Sequence, residues 1–139
     1  MIEVIIKRDG SKEDFDPKKL NGWGEWASKN LDSVVDWSEV VLHIASTSKP
    51  EITSVELHNA FIDYCLTKRS FSYNRMAGRL YISRLYKDLY SDNIPSVKAL
   101  FSKLVSLNLM SCEFFNSYSD DEYVQLEKII NHKLDFNYA

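Results

Sequence analysis

Three basic side chains near the N-terminus are the residues of this sequence best suited to bind a charged ligand. Lys7 and Arg8 end a short apolar run, and Lys19 follows after an Asp-Gly turn and a second short run. Because a hairpin turn reverses the chain, these charges can converge on one spot. An anionic small molecule fits such a cluster, and a nucleotide polyphosphate is the best candidate. A solvated hairpin tip is the plainer interpretation, and spacing alone favours it.

Apolar alternation over residues 2–7 predicts a first strand beside these charges. Val4 and Ile6 are predicted to face the core, while Ile5 and Lys7 share the opposite face. The Asp-Gly pair favours a two-residue primed turn, in which both central residues have positive φ. The strand would then present its lysine beside the turn, on the face away from the core.

A helix follows the return strand, which is predicted over Lys12 to Phe15. Asp16 suits the N-cap and Pro17 the first helical position, so the helix is predicted over about 17–30. Lys19 lies in its first turn, near the positive end of the helix dipole. The residues predicted to point inward are Leu20, Trp23, Trp26 and Ala27.

The rest of the pattern predicts one more short strand and several helices. The strand is at Glu51-Ile52, and the helices cover about 37–47, 54–67, 71–91, 96–107 and 120–131. Capping boxes begin two of these helices, Thr53 with Glu56 and Ser119 with Glu122. Residues 92–95 form the clearest boundary. The predicted inward residues are Trp37, Val40, Val41, Ile44, Leu57, Phe61, Ile62, Cys65, Met76, Ala77, Leu80 and Leu85. The fold class is α+β, with a three-stranded sheet, four helices and a short helical tail.

Composition limits the classes of protein that the chain can belong to. It has 139 residues, of which 45% are hydrophobic and 27% charged, as in a globular protein. The net charge of −3 disfavours a non-specific nucleic-acid binder. No apolar stretch reaches ~18 residues and no signal-peptide pattern is present, so neither a membrane span nor secretion is predicted. Two unclustered cysteines favour a reducing, cytoplasmic location.

Motifs for other nucleotide folds, for metals and for catalysis are missing from the sequence. Gly22-Trp23-Gly24 does not continue to a dinucleotide-binding motif, and no phosphate loop occurs. The three histidines lie far apart, and neither cysteine has a catalytic motif around it. His58 is notable because it lies one turn after Ser54, near the positive end of its helix. The chain is therefore not predicted to be an enzyme by itself.

The opening residues resemble the ATP-cone family. The KRDG motif at 7–10, Glu13 and the FDPKKL motif at 15–20 are similar to the start of a cone. Downstream, ITSVELH at 52–58 resembles the third strand and next helix of a cone, and RMAGRL at 75–80 resembles its last helix. The resemblance implies a small sheet that caps a four-helix bundle.

The residues after the cone narrow this resemblance. Ser119 with Glu122, Ile129-Ile130 and the LDFNYA ending at 134–139 are similar to the segment after the cone in class I ribonucleotide reductase large subunits. The resemblance implies a nucleotide-binding regulatory domain over 1–92. Residues 93–139 would be a helical segment that leads toward a catalytic barrel absent from this chain. The sequence is then interpreted as a fragment of a large subunit or as the product of a split gene.

Carried over position by position, the resemblance implies a set of nucleotide-binding residues. They are Ile5, Lys7, Arg8, Glu13, Asp16, Lys19, Leu20, Ser54, Leu57, His58 and Lys87. Glu13 and Asp16 would lie near the base and sugar, whereas Lys87 would reach the phosphates. No catalytic or metal-binding residue is implied.

The function implied by the resemblance is allosteric control of a ribonucleoside-diphosphate reductase. ATP or dATP would be the effector, with or without Mg²⁺. The partners would be the rest of the large chain and the small subunit, and a homo-oligomer would be compatible with them. The alternative is a degenerate cone that binds no nucleotide and acts as a helical assembly module. A small nucleotide-hydrolysing enzyme is a third hypothesis, with no candidate base or metal ligand to support it.

Overall fold

A mixed three-stranded sheet opens the computed structural model, which describes residues 1–31, 34–91 and 93–138. Its strands are β1 (Val4–Ile6), β2 (Lys12–Asp14) and β3 (Glu51–Thr53). The order is β2-β1-β3, with β2 antiparallel and β3 parallel to the central strand. Ile5 therefore lies between Glu13 on one neighbour and Ile52 on the other. The predicted hairpin and short third strand are confirmed.

The turn between β1 and β2 differs from the predicted primed turn. Gly10 has a φ of +83°, whereas Asp9 is not among the residues with positive φ. The Lys7 amide donates to the Ser11 carbonyl at 2.8 Å, and the Gly10 amide donates to the Lys7 carbonyl at 3.0 Å. This is a three-residue loop in which glycine takes the left-handed position. The Asp9 carboxylate favours it by accepting bonds from the Ser11 amide and hydroxyl at 2.9 and 2.6 Å.

The buried face of β1 is the opposite of the predicted one. Ile5 is 8% exposed and belongs to the core, whereas Val4 and Ile6 are only half-buried. The prediction was wrong because the strand is apolar at consecutive positions, so alternation could not choose its inner face. Lys7 follows Ile5 by two residues and therefore extends toward the inner side of the sheet.

Four helices complete the first compact unit, residues 1–85, although the last of them continues beyond it. They are α1 (Pro17–Ser28), α2 (Trp37–Thr47), α3 (Ser54–Thr67) and α4 (Phe71–Tyr90). The predicted inward residues that are buried are Leu20, Ala27, Val40, Val41, Ile44, Leu57, Phe61, Ile62, Cys65, Met76, Ala77 and Leu80. Trp23 and Trp37 pack partly buried against this core, and Leu85 is half-buried. The α+β prediction is confirmed.

Trp26 was predicted to point inward, but its side chain is 41% exposed. The buried stripe of α1 instead runs through Leu20, Gly24 and Ala27. Gly24 permits close approach of α2, because an added Cβ would lie 3.0 Å from both Trp37 and Val41. A glycine that sequence treats as a weak helix former therefore has a packing role.

The helix starts agree closely with the predicted caps. Asp16 accepts from the Lys18 amide at 2.9 Å and caps α1. Thr53 accepts from the Glu56 amide at 3.1 Å, while the Glu56 carboxylate accepts from the Thr53 amide at 2.9 Å. Ser119 and Glu122 form the same reciprocal pair further along the chain. Both predicted capping boxes are confirmed.

The second compact unit, residues 86–138, contains shorter helices. They are α5 (Val97–Ser106), α6 (Cys112–Asn116), α7 (Asp120–Ile129) and α8 (Asp135–Tyr138), with a 3₁₀ turn at His132–Leu134. Sequence reasoning missed α6, α8 and the 3₁₀ turn. The Tyr123 hydroxyl donates to the Phe115 carbonyl at 2.8 Å, and Tyr86 hydrogen-bonds to Asp135. The predicted domain ends at Asp92 and Ala139 lie outside the described residues.

Candidate functional site

Glu13 joins two of the predicted ligand-binding lysines. Its Oε2 atom lies 2.8 Å from Lys7 Nζ and 3.0 Å from Lys19 Nζ. Lys19 also approaches Oε1 at 3.1 Å. Hydrogen bonds from the two ammonium groups lower the pKa of Glu13, and the bond to Glu13 raises the pKa of Lys7. Of the three basic residues that were expected to converge, Lys7 and Lys19 therefore meet at Glu13. The convergence of Arg8 with them stays a prediction.

The sheet topology brings a helix start to the same edge as Lys7. β1 and β3 are parallel and Ile6 pairs with Thr53, so the carboxyl ends of both strands lie together. The chain leaves β1 through Lys7 and Arg8, and it leaves β3 directly into α3 at Ser54. The start of α3 adds the positive end of a helix dipole to this edge. Lys7 and the positive end of the α3 dipole therefore lie at the same edge of the sheet.

Apolar residues form the inner side of this region. Ile5, Leu20 and Leu57 all belong to one buried cluster. His58 is 1% exposed, and its ring centroid lies 4.2 Å from that of Trp23. Sequence reasoning placed Trp23 inward but did not connect it with His58. Its position three residues after Leu20, on the same side of α1, is the signal that could have found it.

Residues 3–88 of the chain match the model of the ATP cone domain. The chain belongs to the ATP-cone family. The matched range contains the whole sheet, α1, α2, α3 and most of α4. The resemblance inferred from the KRDG and FDPKKL motifs is confirmed.

Relatives of the whole chain are reductase subunits. It is 30% identical to ribonucleoside-diphosphate reductase subunit alpha of Buchnera aphidicola subsp. Acyrthosiphon pisum, and 27% identical to that of Buchnera aphidicola subsp. Schizaphis graminum. It is also 27% identical to ribonucleoside-diphosphate reductase 1 subunit alpha of Escherichia coli K12. These alignments cover 97%, 97% and 98% of this chain but only 18% of each relative. The chain thus spans less than a fifth of their length and resembles their N-terminal part.

The remaining predicted residues occupy different places in the cone. Asp16 is half-buried and its carboxylate caps α1. Arg8 is exposed in the hairpin turn, and Ser54 is half-buried in the first turn of α3. Lys87 lies in the last turn of α4, within the second unit. Contact of these residues with a nucleotide stays a prediction.

The described residues contain no group of three or more His, Cys, Asp or Glu side chains that could hold a metal ion. Burial raises the pKa of the Cys65 thiol to about 12, which leaves it protonated and unreactive at neutral pH. Across the same parts of the chain, no helix has the length and apolar character needed to cross a bilayer.

Proposed function

We propose that the cone binds ATP and dATP as allosteric effectors of a ribonucleoside-diphosphate reductase. The observation that carries this proposal is the meeting of Lys7 and Lys19 at Glu13, beside a helix start and an apolar inner wall. Cations and helix-start amides suit phosphates, whereas buried apolar side chains suit a base. The family match supports the same ligand class.

In this proposal the two ends of the nucleotide contact different parts of the cone. Lys7, Arg8 and the start of α3 would bind the triphosphate. Base and sugar would lie toward Ile5, Glu13, Asp16, Leu20, Leu57 and His58. Lys19 would contribute from the first turn of α1. The effector would bind with or without Mg²⁺, and an ion that accompanies it would be coordinated mainly by the phosphates.

Discrimination between ATP and dATP has to come from outside the phosphates. The two effectors carry the same triphosphate, so the lysines supply affinity without choosing between them. The ribose 2′-hydroxyl, or a rearrangement coupled to it, would make the choice. A ligand shifts an equilibrium only by its differential affinity for two states. A coupling of ~1–3 kcal/mol is typical of allosteric proteins and would suffice here.

The regulatory output requires polypeptide beyond this chain. The relatives are more than five times as long as this chain, and the chemistry would lie in the part of them that this chain lacks. The partners would be that remaining part of the large chain and the small subunit, in a homo-oligomer or larger assembly. The cytoplasm is the compartment that suits such an enzyme. The cone itself would not be an enzyme.

Calorimetric titration with ATP and dATP tests the proposal. We expect micromolar binding to the wild type and at least about tenfold weaker binding to Lys7→Ala, because a charge-assisted contact to phosphate is lost. Lys12→Ala is the matched control. Lys12 pairs with Glu51 at 2.6 Å, away from Glu13, and its loss should leave the affinity unchanged.

No heat at millimolar ATP or dATP would contradict the proposal. It would favour a cone that serves only as an assembly module. The partial neutralisation of Lys7 and Lys19 by the single charge of Glu13 is the observation that favours this second candidate. Phosphate release from ATP above background would instead indicate a hydrolytic enzyme.

A further inference from the structure

The position between Lys7 and Lys19 is already taken by an anion from the protein itself. One carboxylate oxygen of Glu13 contacts both ammonium groups, at 2.8 and 3.0 Å. The Glu13 side chain is 26% exposed, whereas the lysine side chains are 48% and 63% exposed. The carboxylate is thus the most enclosed of the three groups, and the lysines reach inward to it.

The direction of Glu13 follows from the sheet register. Glu13 lies directly opposite Ile5 in the antiparallel pair, and opposite residues point to the same face of a sheet. Since Ile5 is buried against the helices, Glu13 also points to the inner side. This is the side on which the proposed nucleotide would bind. A phosphate that reaches the lysines would therefore come close to the carboxylate.

Phosphate and carboxylate compete for the same donors. Each lysine has three N–H donors on a single charge, so a second anion can share it only by coming near the first. Like charges a few ångströms apart repel each other, and this repulsion opposes binding. A bound nucleotide must then either displace the carboxylate from at least one lysine or tolerate its charge.

We propose that Glu13 is an internal competitor that sets the affinity of the cone for polyphosphates. It holds Lys7 and Lys19 in the ligand-free cone and lowers the affinity of any ligand that binds through them. An inorganic polyphosphate has no base or sugar to offset this loss, so it stays weakly bound. A nucleotide gains contacts with the apolar inner wall and binds despite the loss. This inference rests on the proposed nucleotide-binding function.

Titration with ATP and with inorganic tripolyphosphate, at 0.1 M salt, tests the inference. Glu13→Gln keeps the side-chain length but removes the charge. We expect it to tighten tripolyphosphate binding by about 2- to 30-fold, the range set by two exposed ion pairs, and ATP binding in the same direction. The gain should shrink at 1 M salt, since screening weakens exposed charge pairs.

Two further variants serve as controls, one for the length of the side chain at position 13 and one for the net charge of the protein. Glu13→Asp keeps the charge but is one methylene shorter, so it should release one lysine and give an intermediate gain. Glu51→Gln removes a carboxylate that pairs with Lys12 elsewhere on the sheet, and it should leave both affinities unchanged. An equal gain in Glu51→Gln would show a net-charge effect and overturn the inference.

The remaining outcomes separate this inference from the proposed function. If the wild type binds ATP and Glu13→Gln binds tripolyphosphate no more tightly, or less tightly, then Glu13 aligns the lysines and does not compete. If no variant binds ATP but Glu13→Gln binds tripolyphosphate, the competition stands and nucleotide sensing fails. If no variant binds either ligand, both are wrong.

Discussion

The two compact units of the chain are stabilised in different ways. The first unit has a continuous core in which Phe61, Met76 and Leu80 are at most 1% exposed. In the second unit, the only buried residues among those described are Val97 and Tyr123. Ring-edge contacts such as Phe101 with Tyr123, at 6.0 Å between centroids, hold its helices instead. The first unit has the burial that a fixed ligand site requires, and the second has much less.

The second unit also exposes several large apolar side chains. Leu109 is 72% exposed, Val124 54% and Ile129 77%. Scattered apolar residues are normal on a protein surface, and the first unit also exposes Leu42 and Phe71. The difference is that the second unit has little buried area to offset them. We therefore expect the two units to unfold separately, the second one first.

The largest expected effect comes from the core of the first unit. Phe61→Ala removes a fully buried ring and should destabilise this unit by about 3–5 kcal/mol. All three tryptophans of the chain, at positions 23, 26 and 37, lie in the first unit. Urea unfolding followed by tryptophan fluorescence therefore measures this unit alone, while far-UV circular dichroism measures both.

Phe114→Ala is the matched truncation in the second unit. Phe114 is 46% exposed, so its loss should change the fluorescence transition by less than about 0.5 kcal/mol. A shift of the fluorescence midpoint as large as that of Phe61→Ala would show that the two units unfold as one. The expectation that the two units unfold separately would then be wrong.

Two glycines of α1 provide a paired test of how closely α1 and α2 pack in the first unit. A Cβ at Gly24 would lie 3.0 Å from Trp37 and Val41, so Gly24→Ala should destabilise the unit by about 1–3 kcal/mol. A Cβ at Gly22 would meet nothing within 4 Å, so Gly22→Ala should stabilise it by about 0.5–1 kcal/mol. Thermal unfolding of both variants is the measurement. Equal shifts of the same sign would disprove the close approach of α1 and α2.

The two capping boxes permit the same test in each unit, which is replacement of the N-cap residue by alanine. Thr53→Ala should cost about 1 kcal/mol and be visible in the fluorescence transition. Ser119→Ala removes the equivalent cap of α7 and should appear only in circular dichroism. A fluorescence shift on Ser119→Ala would mean that the stability of the second unit is transmitted to the first.

The smallest expected effect is the response to acid. Hydrogen bonds from Lys7, Lys68 and Thr53 lower the pKa values of Glu13, Glu39 and Glu56 below the ordinary value of 4.5. A carboxyl group whose pKa is lowered by folding contributes its full stabilisation at any pH above its ordinary pKa. This stabilisation is lost as pH falls through the lowered pKa. The urea midpoint of the first unit should therefore be level from pH 7 to about 5.5 and fall below about 4.5. Glu39→Gln should make the fall shallower, and an unchanged slope would contradict this.

Sequence patterns predicted most of the first unit because several independent signals agree there. The helices α2 and α3 begin and end at the predicted residues, where acidic or hydroxyl caps precede strong apolar periodicity. The family resemblance supplied the predicted site residues. The charge argument indicated only that Lys7, Arg8 and Lys19 can converge, and spacing alone favoured a solvated hairpin tip. Glu13 was predicted only as a neighbour of base and sugar. Its ion pairs with Lys7 and Lys19 were not predicted, because sequence does not show which residues lie opposite each other on paired strands.

The errors of prediction arise where local patterns are ambiguous. β1 has apolar residues on both faces, so only the helices packed against it decide that Ile5 is buried. Trp26 is exposed because Gly24 takes its place in the buried stripe of α1. The short helices α6 and α8 depend on tertiary contacts and are too brief to show a period. These features could be predicted only if the residues that pack against them in three dimensions were known.

Nuclear magnetic resonance of the ¹⁵N-labelled chain, titrated with ATP, tests the central claim most directly. A 16.2 kDa protein gives one resolved amide signal for most residues. We predict saturable shifts at Ile5, Lys7, Glu13, Ser54 and His58, with residues 97–134 of the second unit unaffected. Absence of shifts at millimolar ATP, or shifts confined to the second unit, would contradict a nucleotide site in the cone.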